Sequence, residues 1–294
     1  MNAGRIVRLM CLPVFAGLII VGGCATPGPQ QVTICPGKAS VEEALATLTA
    51  RSALAVPLKA SGSCRLEYYD ADAKKNRRHR VQLELWLQPP DRLYLQGHVG
   101  VVNKAVIVGS NDAEFWLGMR PEEISTFYWG RWEDAGNVEG LLINPRLVLE
   151  AFGIIVRPDA AVDSGLWSLD NEGAYDILTL RNEDGDLREK VYVYACDYLV
   201  HKIEYFDPDG NLFATAKLED YTTVVDGFKV PRGIGVTTVS PEGYEDSMDV
   251  RFSFISEKEL SPTAQEYYFS RNLRDMDEFE NIFRYEDGQW IREK

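Results

Sequence analysis

Histidine and cysteine are scarce in this 294-residue chain, and positive charge is in deficit. The three histidines, His79, His98 and His201, stand far apart and no C-x-x-C occurs, so the usual ligand spacing of a metal site is missing. Basic residues number 31 against 45 acidic ones, a net charge of −14. A surface that acidic repels phosphate backbones, which argues against nucleic acid as a partner and disfavours electrostatic docking on anionic headgroups. The spacings G-x-S-x-G, G-x-x-x-x-G-K-[ST], H-E-x-x-H and G-x-G-x-x-G between strand and helix are also lacking. Acidic pairs such as Glu122-Glu123 and Asp207 with Asp209 fall in turn-like segments, where carboxylates are solvated rather than tuned for acid-base work. The expectation is a protein that is not an enzyme and uses neither a metal nor a dissociable cofactor.

No apolar run is long enough to span a bilayer comfortably; Leu9 to Val21 comes nearest and follows Arg5 and Arg8. That run closes on Val21-Gly22-Gly23-Cys24. Through Val21, Gly23 and Cys24 this ending resembles the lipobox of bacterial lipoproteins, with Gly22 acceptable at its position and Cys11 too early to compete. The resemblance implies cleavage before Cys24 and covalent diacylglyceryl and acyl groups on that residue, such as palmitate. These hold the chain at a membrane, each buried CH2 contributing about 0.8 kcal/mol. Ala25, where an aspartate would retain the protein inside, implies an outer-membrane location facing the periplasm. Loss of residues 1–23 leaves 29 basic against 45 acidic residues, a net charge of −16.

With Cys24 acylated, three thiols remain for an oxidising compartment: Cys35, Cys64 and Cys196. One pair and one buried thiol is the simplest arrangement. Cys35 with Cys64 is the expected pair, because they bracket the first helix and close a loop of about 30 residues, stabilising by about 3–4 kcal/mol on the chain-entropy model. Cys196 is then the free thiol, buried beside a turn.

Residues 24–39, with three prolines and two glycines among positions 25–39, read as a flexible tether. Ser40-Val41-Glu42-Glu43 fits a capping box, and Val41, Ala44, Leu45 and Leu48 form the stripe of a helix that ends before Pro57. That helix either packs on a core or lies as a lid over a cavity. From Cys64 the period becomes two, with Val81, Leu83, Leu85 and Leu87 on one face, and strands follow through residue 132. The basic run from Lys74 to Arg80 reads as a solvated hairpin tip rather than a docking patch. Asn144-Pro145 starts a second helix with Leu147, Val148, Ala151 and Phe152 on its apolar side, ended by Gly153. Strands resume from Leu166 to Ile255, with Asp207-Pro208-Asp209-Gly210-Asn211 as a tight turn rather than a calcium loop. In the tail, Leu273, Met276, Phe279, Ile282 and Phe283 approximate a helical stripe.

Large aromatics crowd both alternating faces of the strands between residues 86 and 132, so those strands are covered on both sides or line a cavity. Trp86, Phe115, Trp116, Tyr128, Trp129 and Trp132 are the candidate cavity lining.

From Lys190 to Thr238 the chain gives a strand, a short apolar turn, the strand HKIEYF closing on DPDGN, a strand into EDY, then VDGFKVP and a further alternating strand. This pattern resembles the C-terminal half of the LolA/LolB-like lipoprotein-carrier superfamily, whose sorting proteins have relatives of unknown function. The resemblance implies a mostly β fold, a long antiparallel meander curved into a half-open barrel with an N-terminal helix and a short inserted helix. The expected divisions are a signal peptide at 1–23, a tether at 24–39, a single half-barrel domain at 40–260 and an acidic, weakly helical extension at 261–294. Two functions follow from different classes. One is an anchored lipoprotein whose apolar concave groove binds acyl chains of lipid or of another lipoprotein without chemistry. The alternative is a structural or assembly lipoprotein that uses the same sheet, tightly filled, as a scaffold in an envelope complex.

Overall fold

The computed structural model describes residues 34–70, 74–100, 102–120, 125–134, 145–153, 164–239, 243–272 and 276–294. Cys24 and the lipobox, and Asn144 and Leu273, lie outside them. The first helix, α1, covers Val41–Ser52, with the Ser40 hydroxyl accepting from Glu43 N at 3.3 Å and Glu43 accepting in turn from Ala39 N at 3.2 Å. The reciprocal cap is therefore present, reaching back one residue further than the usual box. These bonds hold both Glu42 and Glu43 below the ordinary carboxylate range, backbone hydrogen bonding leading for Glu42 and the Lys38 ammonium for Glu43.

Fifteen strands form one sheet. The first six, β1 (Leu58–Asp70), β2 (Lys75–Gln88), β3 (Arg92–Val99), β4 (Val102–Ser110), β5 (Glu114–Met119) and β6 (Thr126–Arg131), are paired in sequence order. The chain then crosses through α2 (Pro145–Ala151) and a 3-10 turn at Ser164–Leu166 to the far side of the sheet. There β7 (Trp167–Glu172), β8 (Tyr175–Arg181), β9 (Leu187–Tyr194), β10 (Leu199–Phe206), β11 (Leu212–Val225), β12 (Phe228–Val239) and β13 (Glu245–Glu257) return inward until β13 pairs with β1. Two antiparallel meanders thus share a seam in the middle. The sheet does not close: β7 is one edge. The expected mostly β meander with an N-terminal helix and a short inserted helix is the architecture observed.

One face of the sheet carries both α1 and α2. Ala44, Leu45 and Leu48 of α1, and Leu149, Ala151 and Phe152 at α2, join the alternating side chains Val81, Leu83, Leu85 and Leu87 in the main core. The ring of Phe152 packs on Phe252 with centroids 5.5 Å apart. Gly153, at φ +75°, ends α2 in the left-handed conformation that a side chain disfavours.

The second face is covered by the C-terminal tail, against the expectation of a helical extension. After α3 (Pro262–Tyr268), Phe269, Met276 and Phe279 are buried, and Asn281–Glu286 forms β14, which pairs in parallel with β6; β15 (Gln289–Arg292) completes the other edge. Ile282 and Phe283 are strand residues with opposite facings. The helical spacing holds at residues 276–277, where Met276 N donates to Asn272 O, but from Asn281 the chain is a strand, because an unpaired β6 edge was available.

That cover explains the aromatics on both faces. Trp86, Tyr94, Ile107, Trp116 and Phe127 point to the tail side, where Phe269, Met276, Phe279 and Ile282 close over them. Tyr268 stacks on Trp86, centroids 4.3 Å apart. Gly109 lies opposite both Tyr94 and Trp116, and a Cβ there would come within 2.1 Å of the Trp116 indole. Glycine at that position lets the indole lie across β4.

Candidate functional site: an apolar cavity under the first helix

The six aromatics proposed as cavity lining do not line the main cavity. Trp86 and Trp116 are packed under the tail, and Trp116 touches only a water-sized void of about 10 Å³. Phe115 is fully buried with Tyr285, against Trp132 and Trp290. Tyr128 stacks with Phe283, centroids 5.4 Å apart, and burial raises its phenol pKa. Trp129 lies under the Arg271 guanidinium at 3.6 Å and donates from Nε1 to Glu293 Oε2 at 3.0 Å. Trp132 donates from Nε1 to Asn111 O at 2.8 Å. The correction has one cause: both faces of β2–β6 are covered, so their aromatics fill the protein instead of opening it.

The cavity lies on the helix-bearing face, against the second meander. Its volume is about 100 Å³, where a site for one water needs only about 10–15 Å³. Leu45 and Leu48 of α1 roof it; Leu178, Val191, Leu199 and Ile203 make its floor, and Trp167, Tyr198 and Tyr221 its sides. The mouth, at Thr49, Gly227 and Lys229, is exposed. Both readings of α1 meet here: its stripe packs in the core, and Leu45 and Leu48 also cover the cavity. Period-two spacing put the floor residues on a common face, but nothing local in the sequence says that α1 would leave space above them.

The roof is fastened at both ends. At its N-terminal side, residues 34–39 are laid against β8 rather than being part of a free tether. Cys35 is bonded to Cys196 in the β9–β10 turn. Lys38 N donates to Asp176 Oδ2 at 2.9 Å, and the fully buried Asp176 also accepts from Asn171 Nδ2 at 2.7 Å. Gly37 passes so close that a Cβ would come within 2.0 Å of Asp176 Oδ1. At the other end Arg51 donates to the carbonyl oxygen of Asp197. The expected Cys35–Cys64 bond is thus replaced by Cys35–Cys196. Cys64 faces the core inside β1, opposite Val81 and Val250, whereas Cys35 lies beside the β9–β10 turn. The buried Cys64 thiol is pushed up to about 12 by desolvation and then by Asp249, which makes it inert at neutral pH.

Tyr221 donates its hydroxyl to Val200 O, and burial pushes its pKa up, with Asp197 adding to the shift. Tyr198 is likewise raised, by burial first and then by Asp176. Both phenols stay protonated across the physiological range, as hydroxyl donors in a mostly apolar wall.

The site is thus an open, almost wholly antiparallel sheet with a helix fastened over a mostly apolar cavity. No protein-family model matches the sequence, and no curated protein matches it either. Among solved structures, a DUF1329 family protein from Desulfovibrio piger superposes with a TM-score of 0.51 at 11% identity, over 78% of this chain and 95% of the other. That likeness shows the fold alone. A domain described as an outer-membrane lipoprotein-sorting protein domain, from Vibrio parahaemolyticus, superposes at 0.49 with 12% identity, over 76% of this chain and 94% of that one. A LolA superfamily protein from Nitrosomonas europaea gives 0.48 at 13% identity, over 80% and 99%.

Proposed function

We propose that this protein is a lipid-anchored envelope lipoprotein that holds acyl chains, of a lipid or of another lipoprotein, in the cavity under α1 without performing chemistry on them. The observation that carries the reading is the roofed apolar cavity. An acyl chain entering it leaves water with a gain of about 25 cal/mol per Å² of apolar surface buried. The anchor is the acylated Cys24 of the lipobox, most consistent with an outer membrane facing the periplasm. Eleven residue steps separate Cys24 from Cys35, where the chain is fastened to the sheet. At about 3.3–3.6 Å per residue that tether reaches about 36–40 Å at most. Cys24→Ala abolishes incorporation of radiolabelled palmitate and leaves the unfolding transition in place; persistent labelling would refute the lipobox assignment.

The described core belongs to a unit from Thr33 to Lys294 that is compact by itself, so a chain beginning at Ala25 retains it. Isolated from a periplasm without detergent, that chain is expected to carry extractable lipid or an acylated peptide at up to one equivalent by mass spectrometry. It also takes up a pyrene-labelled acylglycerol. Leu48→Trp, which fills the cavity from the roof, weakens that uptake about tenfold or more, the equivalent of about 1.4 kcal/mol. A chain that is empty and refuses the probe, or a Leu48→Trp variant that binds it unchanged, points instead to the scaffold.

A further inference from the structure

The cavity wall holds a polar group that its own fold leaves unused. Nε1 of Trp167 is buried without a hydrogen-bond partner among the described residues, on a residue that lines the cavity. The Tyr198 hydroxyl on the same wall has Asp176 beside it, whose charge and hydrogen bonding raise that tyrosine's pKa after burial. A buried N–H without an acceptor is costly, and in most structures such a group is satisfied by protein, water or ligand. An indole N–H donates only, so what is missing is an acceptor.

The charges in the lining decide which kind of acceptor fits. Among the described residues, the charged ones around the cavity are Arg51 and Lys229, and Glu150 and Glu189. Arg51 already donates to Asp197 O, and Lys229 stands at the exposed mouth. Glu189 is only 5% exposed. A further carboxylate drawn into this wall would meet as many acids as bases and no surplus cation, so its desolvation would go uncompensated. A neutral carbonyl carries no such penalty.

We infer that the cavity accepts an acyl chain in neutral linkage, as an ester or amide, with Trp167 Nε1 donating to the acyl carbonyl, and discriminates against the free fatty acid. This inference rests on the acyl-binding reading above and adds the linkage and the residue that reads it. Trp167 is then a specificity residue: the apolar floor takes the chain and the indole selects its head.

The test compares monopalmitoylglycerol with palmitate at pH 8, by calorimetry on the chain beginning at Ala25. The ester is expected to bind about tenfold tighter or more than the acid. Trp167→Phe keeps the ring's bulk and removes the N–H, and is expected to weaken ester binding about three- to tenfold, the range for one hydrogen bond, while leaving palmitate unchanged. In the natural protein labelled with 15N-tryptophan, one indole N–H resonance shifts downfield on adding the ester, and that resonance is the one lost in Trp167→Phe. Equal affinity for ester and acid, or ester binding unaffected by Trp167→Phe, overturns the inference and leaves the acyl-chain reading standing. Failure of both ligands to bind overturns both. A diacylglyceryl-cysteine peptide offers the same carbonyl from a lipoprotein instead of a lipid. Selective binding of either neutral ligand supports the inference, and whichever binds tighter identifies the source.

Discussion

Replacing Cys35 and Cys196 together by serine lowers the unfolding free energy by about 2–5 kcal/mol in urea titrations. The two residues are 161 positions apart in sequence. On the chain-entropy model a loop of that length restricts the unfolded chain by about 5 kcal/mol, and native-state relaxation takes the observed value below that limit. The loss reaches the cavity, because the bond fastens the segment leading into α1 while Arg51 fastens its other end. Amide exchange in α1 should therefore accelerate more than exchange in β2, which the bond does not touch. A dithiol reductant produces the same loss in the natural protein by leaving two thiols at these positions. Peptide mapping under non-reducing conditions decides the pairing itself: a fragment linking Cys35 to Cys64 would overturn it, and a stability change under 1 kcal/mol would remove the fastening role.

Phe279→Ala is the substitution expected to loosen the second face, by about 3–5 kcal/mol, the range for truncating a buried phenylalanine. The ring is 1% exposed and packs against Phe127 with centroids 5.2 Å apart, while the Arg120 guanidinium lies 4.7 Å from its centre. Beneath it is Gly118, where a Cβ would come within 2.6 Å of the ring. Truncation leaves a void over β5 and weakens the hold of the tail on Trp86 and Trp116. Against a total stability of about 5–15 kcal/mol, the variant should bind more of a dye such as ANS than the natural protein does. If urea midpoint and dye binding both stay unchanged, the tail is not the cover described.

The two predictions separate the faces of the sheet by purpose. On the tail side, aromatic rings interlock around glycines and leave a water-sized void among the described residues. On the helix side, a two-point fastening holds α1 above a floor it does not fill. The filled side and the side with space are thus different faces of one sheet.

How much of this was legible beforehand depends on the range of the contacts. The cap at Ser40, the stripe Ala44, Leu45 and Leu48, the alternation of Val81 to Leu87 and the tight turn at Asp207 are all set by bonds that close within a few residues or with the next strand. Their spacing determines them, and the sequence by itself therefore determined a capped helix leading a long meander. It also specified the crossover helix, through Pro145 and Gly153. The seam of β1 with β13, the bond from Cys35 to Cys196, and the parallel docking of β14 on β6 join residues more than 150 positions apart. Loop entropy changes only slowly with length at such separations, so spacing cannot rank one partner above another. The choice falls to geometry: which turn lies beside Cys35, which edge lacks a neighbour, and whether a helix held at both ends touches the floor beneath it. Those three facts, decided only in the tertiary structure, turn a strand pattern into a cavity with Trp167 in its wall.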